Sequence, residues 1–259
     1  MKASLDDRIA RTAELAETHP AAADLLNFYR RLMLFQKPVF EELRSKEETG
    51  IQALLHHFPA LLDLVQRTGP APLAEFGAEH LKSPEAQQEL LLGCWEDPAG
   101  KDSACSEAGR FYARVLLQPY AEHLASRGSV EMDAGQADTT QASCPFCSAR
   151  PVVGVLRGEG DGAKRWLLCS LCSTEWQFRR VVCPNCGEQD KEQLPVYTAA
   201  EFDHVRVEAC DRCKTYIKSI DLTRDGRAVA VVDELATVTL NIWAENHGYA
   251  KLEANLLGL

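Results

Sequence analysis

Eight cysteines in four pairs carry the strongest chemistry in this chain: Cys144-Pro-Phe-Cys147, Cys169-Ser-Leu-Cys172, Cys183-Pro-Asn-Cys186 and Cys210-Asp-Arg-Cys213. Two residues between paired cysteines let both sulfurs face one ion while the N–H groups of the turn point at them. Four thiolates close a tetrahedral site, so four pairs make two sites. The first two pairs are separated by 21 residues and the last two by 23. Both gaps slightly exceed the roughly 15–20 residues of common ribbon spacing and leave room for an antiparallel hairpin.

The connector between the second and third pairs, Ser173 to Val182, is only ten residues and contains no Gly, Pro or Asn. Thr174, Trp176 and Phe178 alternate with Glu175, Gln177 and Arg179, a strand pattern. Fully extended, it spans roughly 33 Å. It therefore holds the second and third pairs apart and predicts sequential pairing, Cys144/Cys147 with Cys169/Cys172 and Cys183/Cys186 with Cys210/Cys213. The halves also repeat: Cys144 and Cys183 lie 39 residues apart, Cys169 and Cys210 lie 41 apart. The leading pairs both read C-P-x-C, and the trailing pairs continue as Cys172-Ser-Thr and Cys213-Lys-Thr. These features read as a tandem duplication of one ribbon unit.

The competing uses of cysteine fit less well. The first residues contain no apolar run of a secretory signal, so the expected compartment is the cytosol, where thiols stay reduced. A dithiol redox centre needs one such pair, not four. Tetrahedral sulfur suits iron or zinc. The residue after each second cysteine is expected in the left-handed conformation; only Gly187 is suited to it, and Ser148, Ser173 and Lys214 would each bear a cost of about 1–2 kcal/mol. Cys94 and Cys105, outside the motifs, read as small buried residues.

The elements that must position these sulfurs follow. At 259 residues the chain has room for a sizeable core and more than one domain. Residues 1–126 read as an irregular helical bundle. Helices are expected over Leu5–Ala16, Ala21–Ser45, Pro59–Arg67, Pro72–Leu81, from Ser83 onward and over Ala104–Ser126. Pro38 and Pro119 should kink or break theirs, while Pro59, Pro72 and the Ser83-Pro84 cap suit first turns. His56 and His57 should serve packing, since adjacent side chains diverge on a helix. Residues 127–143 have linker composition. The tandem four-cysteine region occupies 144–222, and 223–259 should hold a turn at Asp225-Gly226 and a helix over Val232–Asn246. The fold class is α+β: an N-terminal helical bundle, tandem rubredoxin-like or zinc-ribbon-like knuckles and a terminal helix.

Charge narrows the function. Residues 1–143 carry 22 acidic and 14 basic side chains, and residues 144–259 carry 16 and 14. A divalent ion on four thiolates adds about −2 per site. The ribbon region thus lacks the basic excess that phosphate binding needs, which disfavours nucleic acid. No apolar run approaches the roughly 20 residues of a membrane span, and no catalytic constellation stands out.

The second half resembles the formate dehydrogenase accessory protein family, FdhE. The resemblance rests on Cys144-Pro-Phe-Cys147 with Pro151, Arg165-Trp-Leu-Leu-Cys169, Cys172-Ser-Thr-Glu-Trp176, Arg180-Val-Val-Cys183, Cys210-x-x-Cys213 with Lys214-Thr-Tyr-Ile-Lys218, and Asp233-Glu-Leu-Ala236. Ser148 stands where the family pattern has glycine. The resemblance implies a cytoplasmic, non-catalytic maturation factor that binds the catalytic subunit of a respiratory formate dehydrogenase. It also implies iron in the cysteine sites, with zinc as the alternative. Two other functions remain open, a rubredoxin-like redox protein and a zinc-ribbon nucleic-acid module.

Overall fold

The computed structural model describes residues 3–46, 50–98, 105–128, 140–160 and 162–259. Most of the expected linker, residues 129–139, lies outside the described residues. Among the described residues, six α-helices come first: α1 (Leu5–Thr18), α2 (Ala23–Ser45), α3 (Phe58–Thr68), α4 (Ala71–His80), α5 (Pro84–Glu96) and α6 (Glu107–Arg127). Six strands follow: β1 (Pro151–Glu159), β2 (Gly162–Cys169), β3 (Glu175–Phe178), β4 (Val196–Thr198), β5 (Val205–Cys210) and β6 (Thr215–Asp221). The chain ends with α7 (Ala230–Ala236), α8 (Val238–Asn246) and β7 (Ala250–Lys251). None of the described helices is long and apolar enough to cross a membrane.

Local sequence explains the helix starts. Ser4 and Asp7 form a reciprocal capping box on α1, and Ser83 accepts from the Ala86 amide with Pro84 in the first turn of α5. The two interior prolines do not break their helices. Pro119 leaves the Val115 carbonyl without its amide partner, and the buried Gln36 side chain on α2 donates to that carbonyl at 2.7 Å. Pro38 leaves the carbonyl of Leu34, an exposed residue open to water. The expected terminal helix is instead two. Thr237 interrupts it, its hydroxyl donating to the Asp233 carbonyl at 2.9 Å, while the Lys218 ammonium donates to the Glu234 and Thr237 carbonyls.

The sheet runs β3-β2-β1-β6-β5-β4, with β7 also paired to β6. Each ribbon contributes three neighbouring strands in the same internal order. The two triplets join where β1 lies parallel to β6, Gly154 opposite Ser219. The join is close: a side chain on Gly154 would meet the Ser219 hydroxyl. The connector between the ribbons is not extended throughout. Strand β3 stops at Phe178, because the Arg165 guanidinium takes up the Arg179 and Val182 carbonyls at 3.4 and 3.1 Å in place of a partner strand.

The helical layer and the first ribbon share one apolar core. Leu26, Leu32, Tyr112 and Leu116 from the helices belong to the same cluster as Cys144, Cys169, Cys172, Trp176 and Phe178. The second ribbon packs its Val207, Ala209 and Tyr216 face in a smaller cluster with Ala244 of α8 and Tyr249.

Candidate metal centres

The four sulfurs of Cys144, Cys147, Cys169 and Cys172 lie within 4.8 Å of one another, and so do those of Cys183, Cys186, Cys210 and Cys213. In the first group Cys144–Cys172 and Cys147–Cys169 approach to 3.5 and 3.4 Å. In the second, Cys183–Cys213 and Cys186–Cys210 are both 3.7 Å apart. A tetrahedron with metal–sulfur bonds of ~2.3 Å has edges of ~3.8 Å. Both groups can therefore hold one ion each, and four soft donors suit iron or zinc.

The knuckles repeat one local design. Cys144 N–H donates to the Ala149 carbonyl and Ser148 N–H to the Cys144 carbonyl; Cys183 N–H donates to Glu188 and Gly187 N–H to Cys183. Amides inside the turns face sulfur: Phe146 N to Cys144 at 3.4 Å, Leu171 N to Cys169 at 3.3 Å and Asn185 N to Cys183 at 3.4 Å. The residue after each second cysteine is left-handed, with φ of 62° at Ser148, 53° at Ser173, 75° at Gly187 and 54° at Lys214. Thr174 and Thr215, the matching threonines of the duplication, place Oγ1 at 3.1 and 3.0 Å from Cys172 and Cys213 Sγ.

Crowding and burial move the thiols in both directions. Hydrogen bonds from Cys147, Cys169 and Cys172 push the Cys144 thiol far below its ordinary value, while burial drives Cys169 well above it. Burial also opposes ionisation of Cys213, but hydrogen bonds from Thr215 and Asn185 outweigh it and bring the thiol to about 6.

The two sites differ in their surroundings. In the first, Ser173 Oγ donates to Glu122 on α6 at 2.6 Å and accepts from Arg8 on α1 at 3.2 Å; Arg8 and Glu122 pair at 2.8 Å. Gln118, one turn earlier on α6, donates to the Ser170 carbonyl at 2.9 Å. Trp176 is buried and its indole N–H donates to the Gln141 carbonyl. In the second, Cys186 is exposed, and Lys214 sits in solvent near Asp211.

Sequence reasoning missed a buried ionic seam. Lys218 is fully buried and lies 3.0 Å from Glu234, which also meets Lys251 at 2.5 Å and accepts from Asn255. Asp233 accepts from Arg11 on α1 and Val229 N–H and lies 3.0 Å from His204 Nε2. Burial alone raises the Glu234 carboxyl, but the Lys218 and Lys251 ammonium groups outweigh it and hold it at about 2. Burial lowers Lys218 to about 8. The Lys218 and Asp233-Glu234 motifs thus join the sheet, the terminal helices and α1. The signal was present as motif residues with no local partner.

Outside the ribbons, Cys94 and Cys105 pack together, their sulfurs 2.8 Å apart. His56 and His57 do not diverge. They end a tight 3-10 turn, Ile51–His57, and both Nε2 atoms reach Glu42 Oε2, at 3.2 and 3.3 Å. That trio could also face an ion, but Lys46 already pairs with the same carboxylate group.

Comparison with known proteins places this architecture. The model of the FdhE central domain matches residues 143–180, and that of the FdhE C-terminal domain matches residues 181–257. The boundary between them falls between the two cysteine clusters. Protein FdhE homolog of Aquifex aeolicus (strain VF5) is 28% identical over 273 residues, covering 96% of this chain and 93% of the relative. Protein FdhE of Salmonella arizonae is 29% identical over 273 residues, covering 96% and 85%. The crystal structure of the FdhE protein from Pseudomonas aeruginosa matches with a TM-score of 0.70 at 25% identity, over 99% of this chain and 97% of that one.

Proposed function

Because the chain belongs to the FdhE family, we propose that it is a non-catalytic accessory factor for maturation of a respiratory formate dehydrogenase, binding that enzyme's catalytic subunit in the cytoplasm. The observation that carries the non-catalytic part is coordinative. Each cluster brings four sulfurs within reach of one another, and an ion held by all four would have no open position for a substrate, as a catalytic ion requires. In this reading Cys144, Cys147, Cys169 and Cys172 hold one ion and Cys183, Cys186, Cys210 and Cys213 the other. The metal is iron, with zinc the alternative. Such ions supply stiffness and, if iron, a one-electron couple. The helical part, residues 1–126, and the tandem ribbon, 144–222, act as two faces of one binding scaffold, with 127–143 as the link and 223–259 as the closing segment.

A redox role is the second reading, favoured by the solvent exposure of Cys186. One experiment separates the readings. The full chain is affinity-purified from cells growing on formate, and its partners and metals are measured. Retention of the formate dehydrogenase catalytic subunit with two ions per chain is expected. Nucleic acid retained through about 0.2 M salt, with no such subunit, would replace the accessory role by a ribbon-type nucleic-acid module. A reversible potential with transfer to a defined acceptor, again without the subunit, would favour the redox reading.

A further inference from the structure

The second ribbon has one covered face and one open face. Along β5, Val207 and Ala209 face α8, while Arg206, Glu208 and Cys210 alternate to the other side. Val196 and Ile217 stand opposite Glu208 on the neighbouring strands and share its face. Above this face lies a cavity of about 390 Å³, closed on one side by the Arg180–Pro184 turn and on another by Lys191 and Leu194.

Three features describe what the cavity suits. Its lining carries four cations, Arg165, Arg180, Lys191 and Arg206, against the single carboxylate of Glu208, on a chain whose net charge is −10. Arg165 is neutralised by Glu208 at 2.6 Å and Arg206 by Asp221. Arg180 and Lys191 are exposed at the rim, and neither has an ion-pair partner among the described residues. Second, the described residues expose five large hydrophobic side chains, and two of them, Val181 and Val196, lie at this cavity. Third, β4 pairs only with β5, so its outer edge has no strand partner among the described residues. A free edge offers main-chain hydrogen bonds to an extended peptide.

We propose that this cavity and the edge of β4 seat an extended peptide segment of the client, one that combines apolar side chains with acidic ones. Val181 and Val196 take the apolar positions, Arg180 and Lys191 meet the carboxylates, and β4 supplies the backbone pairing. Cys183 and Cys210 of the second cluster line the same cavity, so the second ion stiffens the docking surface. The proposal rests on the accessory reading above.

The experiment uses the full chain made together with the formate dehydrogenase catalytic subunit. A photo-crosslinking amino acid is placed at Val196, and separately at Ile242, an exposed position on α8. A second preparation carries Arg180→Glu with Lys191→Glu, at exposed sites outside both metal clusters. The expected result is crosslinking to an acidic, apolar segment of the subunit from Val196 and not from Ile242. The double charge reversal should cut subunit retention about tenfold or more with unchanged melting. Retention within about twofold in the charge-reversed protein, crosslinking from Ile242 alone, or crosslinking of Val196 to nucleic acid would overturn the proposal while leaving the subunit interaction to be judged separately. Absence of the subunit from the unaltered protein overturns the accessory reading itself, and the docking claim with it.

Discussion

After Cys172 the chain places Ser173, and after Cys213 it places Lys214; both backbones are left-handed. Ser173 is buried and tied to Glu122 and Arg8, side chains from two different helices. Lys214 projects into solvent beside Asp211 and the Tyr249 ring. The same knuckle is thus embedded in the shared core in one ribbon and stands at the periphery in the other. The repeat places two equivalent four-sulfur clusters in the chain, and packing gives them different surroundings. The first fastens the sheet to the helices, and the second shapes an open surface.

The largest expected difference comes from removing one ligand from each site. Structural thiolate sites contribute on the order of 10 kcal/mol of folding free energy in small zinc modules. Cys169→Ser should unfold or aggregate the whole chain, since Cys169 lies in the helical core cluster. Cys183→Ser should leave one ion bound and most of the helical circular dichroism in place. Equal losses from both variants would erase the distinction.

The ionic seam is next. Glu234→Gln leaves buried Lys218 without its carboxylate and should cost about 3–5 kcal/mol in denaturant unfolding. The double variant Lys218→Met with Glu234→Gln should recover much of that loss. The pH dependence has a definite sign. The neighbouring Lys218 and Lys251 ammonium groups, outweighing burial, depress Glu234 from its ordinary 4.5 to about 2. Its contribution is therefore complete above pH 4.5 and is lost as pH falls toward 2. In the double variant this part of the acid limb should be missing from melting curves.

The smallest effects test the knuckle comparison directly. Lys214→Gly relieves a left-handed non-glycine residue and should stabilise by about 1 kcal/mol. Ser173→Gly relieves the same strain but removes a buried hydroxyl bonded to Glu122, and should destabilise by about 1 kcal/mol. Parallel shifts in the two melting temperatures would mean that the surroundings do not differ as described.

What was legible in the sequence was local or spaced along it. The four cysteine pairs, the serine–proline start of α5 and the left-handed positions after each pair all depend on near neighbours. The interruption at Thr237 was hidden because its cause, Lys218, sits on β6. Helix α6 runs through Pro119 because Gln36, 79 residues away, supplies the missing donor. Arg8 and Arg11 lie on the expected first helix, yet their partners Glu122 and Asp233 lie 114 and 222 residues onward. The strand expected across all of Ser173–Val182 ended early because Arg165 captured its carbonyls. In each case the deciding contact was a polar side chain on a distant element, which periodicity along one element does not register.

Native mass spectrometry of the full chain under graded chelation addresses the two-site account most directly. Two ions per chain should be present at the start. The first to leave should do so with the compact charge-state distribution intact, and the second only together with the shift to unfolded charge states. Fewer than two ions at the start, or both leaving in one step, would contradict it.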